Sequence, residues 1–177
     1  LRWLCLVPLT LALAATIAPP VALAEELADA NLDARHSRQP SPSTQVVKLA
    51  KSAVGTPYAW GGDSPAGFDC SGLVVWVFSQ VGVALPHAEV GALLVGTPVS
   101  REALLPGDVL VFQNTYQWGP SHAGIYVGDG RFVHAADEAH GVIESSLDNP
   151  YWASRFYGAA RLVGSRHPPA ADNGSPE

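Results

Sequence analysis

The sequence predicts an α+β domain, its helices gathered in the first half and its strands in the second. Three observations carry that expectation. The chain holds 15 prolines and 17 glycines, too many for a helical bundle. Apolar residues recur at helical spacing before Gly82, and from Val109 onward they fall into short blocks separated by turn residues.

The first helix is expected to open with Ser43 or Thr44 as its N-cap, to bury Val46, Val47, Leu49, Ala50, Ala53 and Val54, and to stop at Gly55. Thr56 to Gly67 reads as a loop. A second helix from about Cys70 through Gln80, stopping at Gly82, is apolar all round, which marks a buried central helix. A shorter helix is expected over Ala88 to Val95. Strands follow at Val109–Phe112, Ala123–Val127, Phe132–Ala135, Val142–Ser146 and Tyr157–Val163.

Outside this domain, residues 1–24 read as an export signal cleaved after Ala24. Arg2 precedes an apolar run from Trp3 to Ala18, and Ala22-Leu23-Ala24 supplies small residues at the cut. Pro8, Pro19 and Pro20 interrupt a stretch already short for a bilayer span, and Cys5 sits at the start of the run, where a lipid-modified cysteine would not be. Residues 25–43 read as a polar tether, 44–163 as the domain and 164–177 as a frayed tail. The expected location is therefore the periplasm or the extracellular cell wall. A net charge of -6 lacks the basic footprint that nucleic acid requires.

Loss of the signal leaves one cysteine, Cys70, where a loop rich in glycine becomes the apolar helix. The unpaired N–H groups of a helix start favour a thiolate. A cysteine nucleophile needs a base and a group to orient it. His36 and His167 lie in the tether and tail, and His140 in a loop, and all three are set aside. His122 and His134 flank Gly128-Asp129-Gly130. A three-residue hairpin loop there pairs Val127 with Arg131, Ile125 with Val133 and Ala123 with Ala135, gathering an apolar face and placing both histidines on the other, about 7 Å apart. A two-residue loop would split them between faces. Neither Cys-x-x-Cys nor His-Glu-x-x-His spacing occurs, so no metal or other cofactor is expected.

Four segments together resemble a known family. Pro57-Tyr58-Ala59-Trp60-Gly61-Gly62, Phe68-Asp69-Cys70-Ser71-Gly72-Leu73, Leu105-Pro106-Gly107-Asp108-Val109-Leu110-Val111-Phe112, and Ser121 through Gly130 are similar in order and spacing to the motifs of the NlpC (NlpC/p-sixty) family of cell-wall cysteine peptidases. The segments Phe132-Val133-His134-Ala135 and Phe156-Tyr157-Gly158-Ala159-Ala160-Arg161 resemble that family too, so the likeness runs from about Thr44 to Val163.

The resemblance implies a papain-like fold, with the cysteine helix packed on an antiparallel sheet that carries the histidines. It also implies hydrolysis of peptidoglycan stem peptides, usually between D-glutamate and diaminopimelate or lysine, by a protein expected to act as a monomer. Position by position, Cys70 resembles the nucleophile, His122 the base, His134 the third polar residue and Tyr58 an oxyanion donor. Asp69, Ser71, Ser121 and Trp60 are expected to meet substrate, with Trp118, Tyr126 and Phe132 as further candidate groove walls. The implied mechanism starts from a Cys70 thiolate paired with protonated His122. A Cys/His amidase, an acyltransferase and a non-catalytic wall-binding domain are the alternatives. One departure stands out: many members have Arg then Ser or Thr after Leu85-Pro86, whereas this chain has His87-Ala88, with His87 read as a surface cap.

Overall fold

The computed structural model describes residues 40–164. The expected export signal, the tether as far as residue 39, His36, and the tail from residue 165 with His167 lie outside the described residues. Helix α1, Pro42–Ser52, begins earlier than expected. Its N-cap is Ser41, whose hydroxyl accepts the Thr44 N–H at 3.2 Å. Proline at the first helical position needs no N–H partner and arrives with helical φ, so Pro42 draws the cap back from Ser43 into the segment read as tether.

Two short strands, β1 at Asp63–Ser64 and β2 at Gly67–Phe68, turn the glycine-rich loop into a small hairpin. Helix α2, Cys70–Ser79, follows at once and buries Leu73, Val74, Val77 and Phe78. The third helix is shorter than expected: α3 spans Gly91–Val95, because Ala88 to Val90 form turns around Pro86.

The remaining chain forms a six-stranded antiparallel sheet in the order β3-β8-β4-β5-β6-β7. Its strands are β3 Thr97–Val99, β4 Val109–Gln113, β5 Pro120–Gly128, β6 Arg131–Ala135, β7 Val142–Ser146 and β8 Phe156–Arg161. The short β3 was not foreseen. Neither was α4, Pro150–Ala153, a single turn between β7 and β8.

The pleat sends alternate residues to opposite faces. Val109, Ala123, Ile125, Val127, Val133 and Ala135 pack against α1 and α2 in the main core. Leu110, Phe112 and Phe132 form a second core on the far face, closed over by Trp152 of α4 and by Phe156.

The β5–β6 hairpin reaches the expected register by another route. Ile125 pairs with Val133 and Tyr126 with Phe132, as expected, but Gly128 rather than Val127 opposes Arg131. The turn itself is the two residues Asp129 and Gly130, at φ 52° and 68°. Positive φ at both positions suits the twist of the flanking strands. A bulge at Val127 then adds the residue that a tight turn leaves out, so the two histidines stay on one face.

Candidate active site

Asp69 caps α2, and its carboxylate is the hub of the loop in front of it. It accepts the Gly72 N–H at 2.6 Å, the Gly61 N–H at 2.9 Å and the Ser71 hydroxyl at 3.1 Å. Burial opposes the charge, but these donors, with His87, outweigh it and hold the carboxyl below its ordinary range. Asp69 and Ser71 are thus both engaged at the helix start. Gly72 admits the carbonyl of Gly62, which any Cβ there would strike, so the hairpin lies directly on the helix beside the nucleophile position.

Cys70 occupies the first turn of α2 and is buried, with a free thiol. Helix α2 packs against β5, and the backbone N–H groups of Ala123 and Ser71 pull the thiol down. Ala123 follows His122 in β5, so the helix that starts at Cys70 packs on the strand that carries His122. Burial nonetheless pushes the thiol up to about 12, with Asp69 and Glu89 acting in the same direction. The helix start alone predicts the opposite shift. Desolvation wins because the sulfur has almost no access to water.

His122 and His134 stand together on the far face of the sheet. Nε2 of His122 lies 2.7 Å from Nδ1 of His134, and Nε2 of His134 lies 2.9 Å from the Ser145 hydroxyl. Trp152 stacks on His122 at 5.1 Å between ring centres and meets His134 edge-on at 4.8 Å. Burial pulls His122 down to about 4, and burial together with His122 holds His134 well below the ordinary histidine range. Burial thus favours the neutral form of both rings and of the thiol, and works against the ion pair expected from the sequence.

Tyr58 is half-buried and bridges to Phe68, two residues before Cys70. Burial first, then the nearby Cys70 and Asp69, raise its phenol, so it remains a donor. Trp60 is 75% exposed and meets Tyr116 edge-on. Ser121, expected at the substrate, is wholly buried; its hydroxyl receives the Thr115 N–H at 3.0 Å and lies 2.9 Å from the Thr115 hydroxyl. Phe132 is likewise wholly buried, which removes it from the groove walls. Trp118 is exposed in the β4–β5 loop, while the Tyr126 hydroxyl is occupied by the Gly130 N–H.

A cleft of about 300 Å³ opens on His122, with Tyr116, Asp137, Tyr151 and Trp152 among its walls. Several polar contacts around the site were not expected from the sequence. Nε2 of His87 lies 3.0 Å and 3.2 Å from the two carboxylate oxygens of Asp69, so this residue braces the loop before α2 and is not merely a surface cap. Glu89 accepts the Tyr116 hydroxyl at 2.6 Å. His140 pairs locally with Asp137. Among the described residues, no group of three or more His, Cys, Asp or Glu side chains is placed to hold a metal ion.

The chain is similar to several known proteins. It is 54% identical over 116 residues to a probable endopeptidase of Mycobacterium tuberculosis, covering 64% of this chain and 29% of that protein. It is 46% identical over 119 residues to the gamma-DL-glutamyl hydrolase of Bacillus subtilis, covering 66% of this chain and 29% of that protein. The match thus spans less than a third of either relative. Among solved structures, the NlpC/p60 domain of the peptidoglycan hydrolase SagA aligns with a TM-score of 0.60 at 31% identity, over 68% of this chain and 98% of that one. An NlpC/P60 family protein of Bacillus cereus aligns with a TM-score of 0.66 at 28% identity, over 71% of this chain and 42% of that one. The model of the NlpC/P60 family matches residues 55–161, which contain Cys70, His122 and His134. With more than half its length matched by that model, this chain belongs to the NlpC/P60 family.

Proposed function

We propose that the chain is an exported cysteine endopeptidase that hydrolyses peptidoglycan stem peptides at the bond between D-glutamate and diaminopimelate or lysine. One observation carries the reading: a cysteine starts the helix packed against the strand that holds a histidine, and that histidine is tied to a second one. The names of its relatives, a gamma-DL-glutamyl hydrolase and a probable peptidoglycan endopeptidase of Bacillus subtilis among them, supply the substrate class.

The chemistry follows from neutral partners. With Nε2 of His122 engaged by His134, Nδ1 remains for the thiol proton. That proton moves to Nδ1 as sulfur bonds to the amide carbonyl carbon, so no isolated charge stands in a buried site. The carbonyl π electrons pass to oxygen, where the Cys70 N–H and the Tyr58 hydroxyl are the donors. The imidazolium returns its proton to the leaving amine as the C–N bond breaks, giving a thioester. Water, deprotonated by His122, then releases the acid.

Digestion of purified peptidoglycan of defined chemotype, with fragments identified by mass spectrometry, tests the reading. It predicts a new carboxylate on D-glutamate and a free amine on the diamino acid. Release of whole stem peptides from the glycan would make the protein an amidase, transfer to an added amine an acyltransferase, and binding without cleavage a wall-binding domain.

A further inference from the structure

His134 has no exposed surface, and each of its ring nitrogens has one polar partner: Nδ1 faces His122 and Nε2 faces Ser145. The three residues sit on β5, β6 and β7, adjacent strands of one sheet, with Ser145 opposite Phe132 and half-buried at the sheet edge. A neutral imidazole carries one proton on two nitrogens, so these bonds share a single polarity. If Ser145 accepts, His134 is protonated on Nε2 and bare on Nδ1. His122 then donates from Nε2 and keeps Nδ1 bare. If Ser145 donates, every step reverses, and His122 presents an N–H where a base is needed.

We infer that Ser145 is a positioning residue, whose hydroxyl accepts the His134 Nε2–H and so fixes His122 in the tautomer that can take the Cys70 proton. The inference rests on His122 being the base of the proposed reaction. Serine suits the post because its own hydrogen turns to water at the half-exposed edge while its lone pairs face the ring. An alanine there leaves the buried Nε2–H without an acceptor, and His134 escapes that cost by moving its proton to Nδ1.

Nitrogen-15 NMR of the histidine side chains in the free full-length protein reads the tautomers, alongside kcat and KM on a stem peptide. The wild type should carry its protons on Nε2 of both His122 and His134. Ser145→Ala should shift both rings toward the Nδ1–H form and lower kcat about tenfold with KM unchanged, while Ser145→Thr, which keeps the hydroxyl, should match wild type in both readouts. A wild-type proton on Nδ1 of His134 would overturn the inference, even if Ser145→Ala did not fold. Unchanged tautomers in Ser145→Ala, or equal losses in the Ala and Thr variants, would do the same. The NMR arm needs no substrate, so failure to cleave stem peptides would count against the proposed function while the tautomers still judged Ser145.

Discussion

Nε2 of His122 and Nδ1 of His134 stand 2.7 Å apart, held across two strands by a hairpin whose tight turn and bulge together set the register. Because Trp152 closes over both rings, this bond lies in a second core and not on a solvated sheet face. Orientation of His122 therefore depends on what stands at position 134.

His134→Gln or His134→Asn offers a carbonyl acceptor near the same place, whereas His134→Ala offers none. The amide variants should retain measurable cleavage of a stem peptide, and alanine should lose roughly 10- to 100-fold in kcat. Steady-state kinetics check this; equal rates in all three variants and wild type would leave His134 without a catalytic part.

Gly124 lies between the two histidines on the same face. A Cβ there would stand 2.8 Å from Phe132, 3.0 Å from the Val133 carbonyl and 3.2 Å from the Cβ of His134. Gly124→Ala should cost about 1–3 kcal/mol by crowding the strand pair, and should lower activity by displacing the His134 ring. Thermal unfolding together with kcat tests both halves of the claim.

Acid should weaken the fold through the same pair. The folded value of His122 is about 4 against about 6.5 in an unfolded chain, and His134 is depressed likewise. Between those values the unfolded state binds more protons, so this contribution is complete above pH ~6.5 and is lost as the pH falls toward ~4. Melting temperatures across that window should fall more steeply for wild type than for His134→Gln; parallel curves would contradict the assignment.

The resting thiol should be unreactive. With Cys70 pushed up to about 12, iodoacetamide should modify the substrate-free protein at neutral pH more slowly than a free thiol of pKa about 8.5, and the rate should climb with pH. Rapid alkylation at pH 6 would mean that a thiolate–imidazolium pair already exists at rest.

Much of this was legible in the chain. The apolar α2, the strand blocks and the Ile125–Val133 register follow from local pattern, because burial on one face penalises any slip. The Ser41-Pro42 pair is itself a local start signal that the expectation of a cap at Ser43 passes over, whereas local pattern could not show that a bulge substitutes for a longer loop. The polar partners were harder still. His87 reaches Asp69 across 18 residues, Glu89 reaches Tyr116 across 27, and His134 reaches Ser145 across 11. Only the closed fold brings such pairs together. The upward pull on the Cys70 thiol was hidden for a related reason: a helix start is visible in sequence, while the loss of water around the sulfur is not.

The central claim is that Cys70 forms a covalent acyl-enzyme with a stem peptide. Rapid acid quench of the protein with such a peptide, followed by proteolysis and mass spectrometry, reads it directly. The peptide bearing Cys70 should gain the mass of the D-glutamyl portion, and Cys70→Ala should show neither adduct nor turnover. An adduct on another residue, or cleavage that survives in Cys70→Ala, would contradict the account.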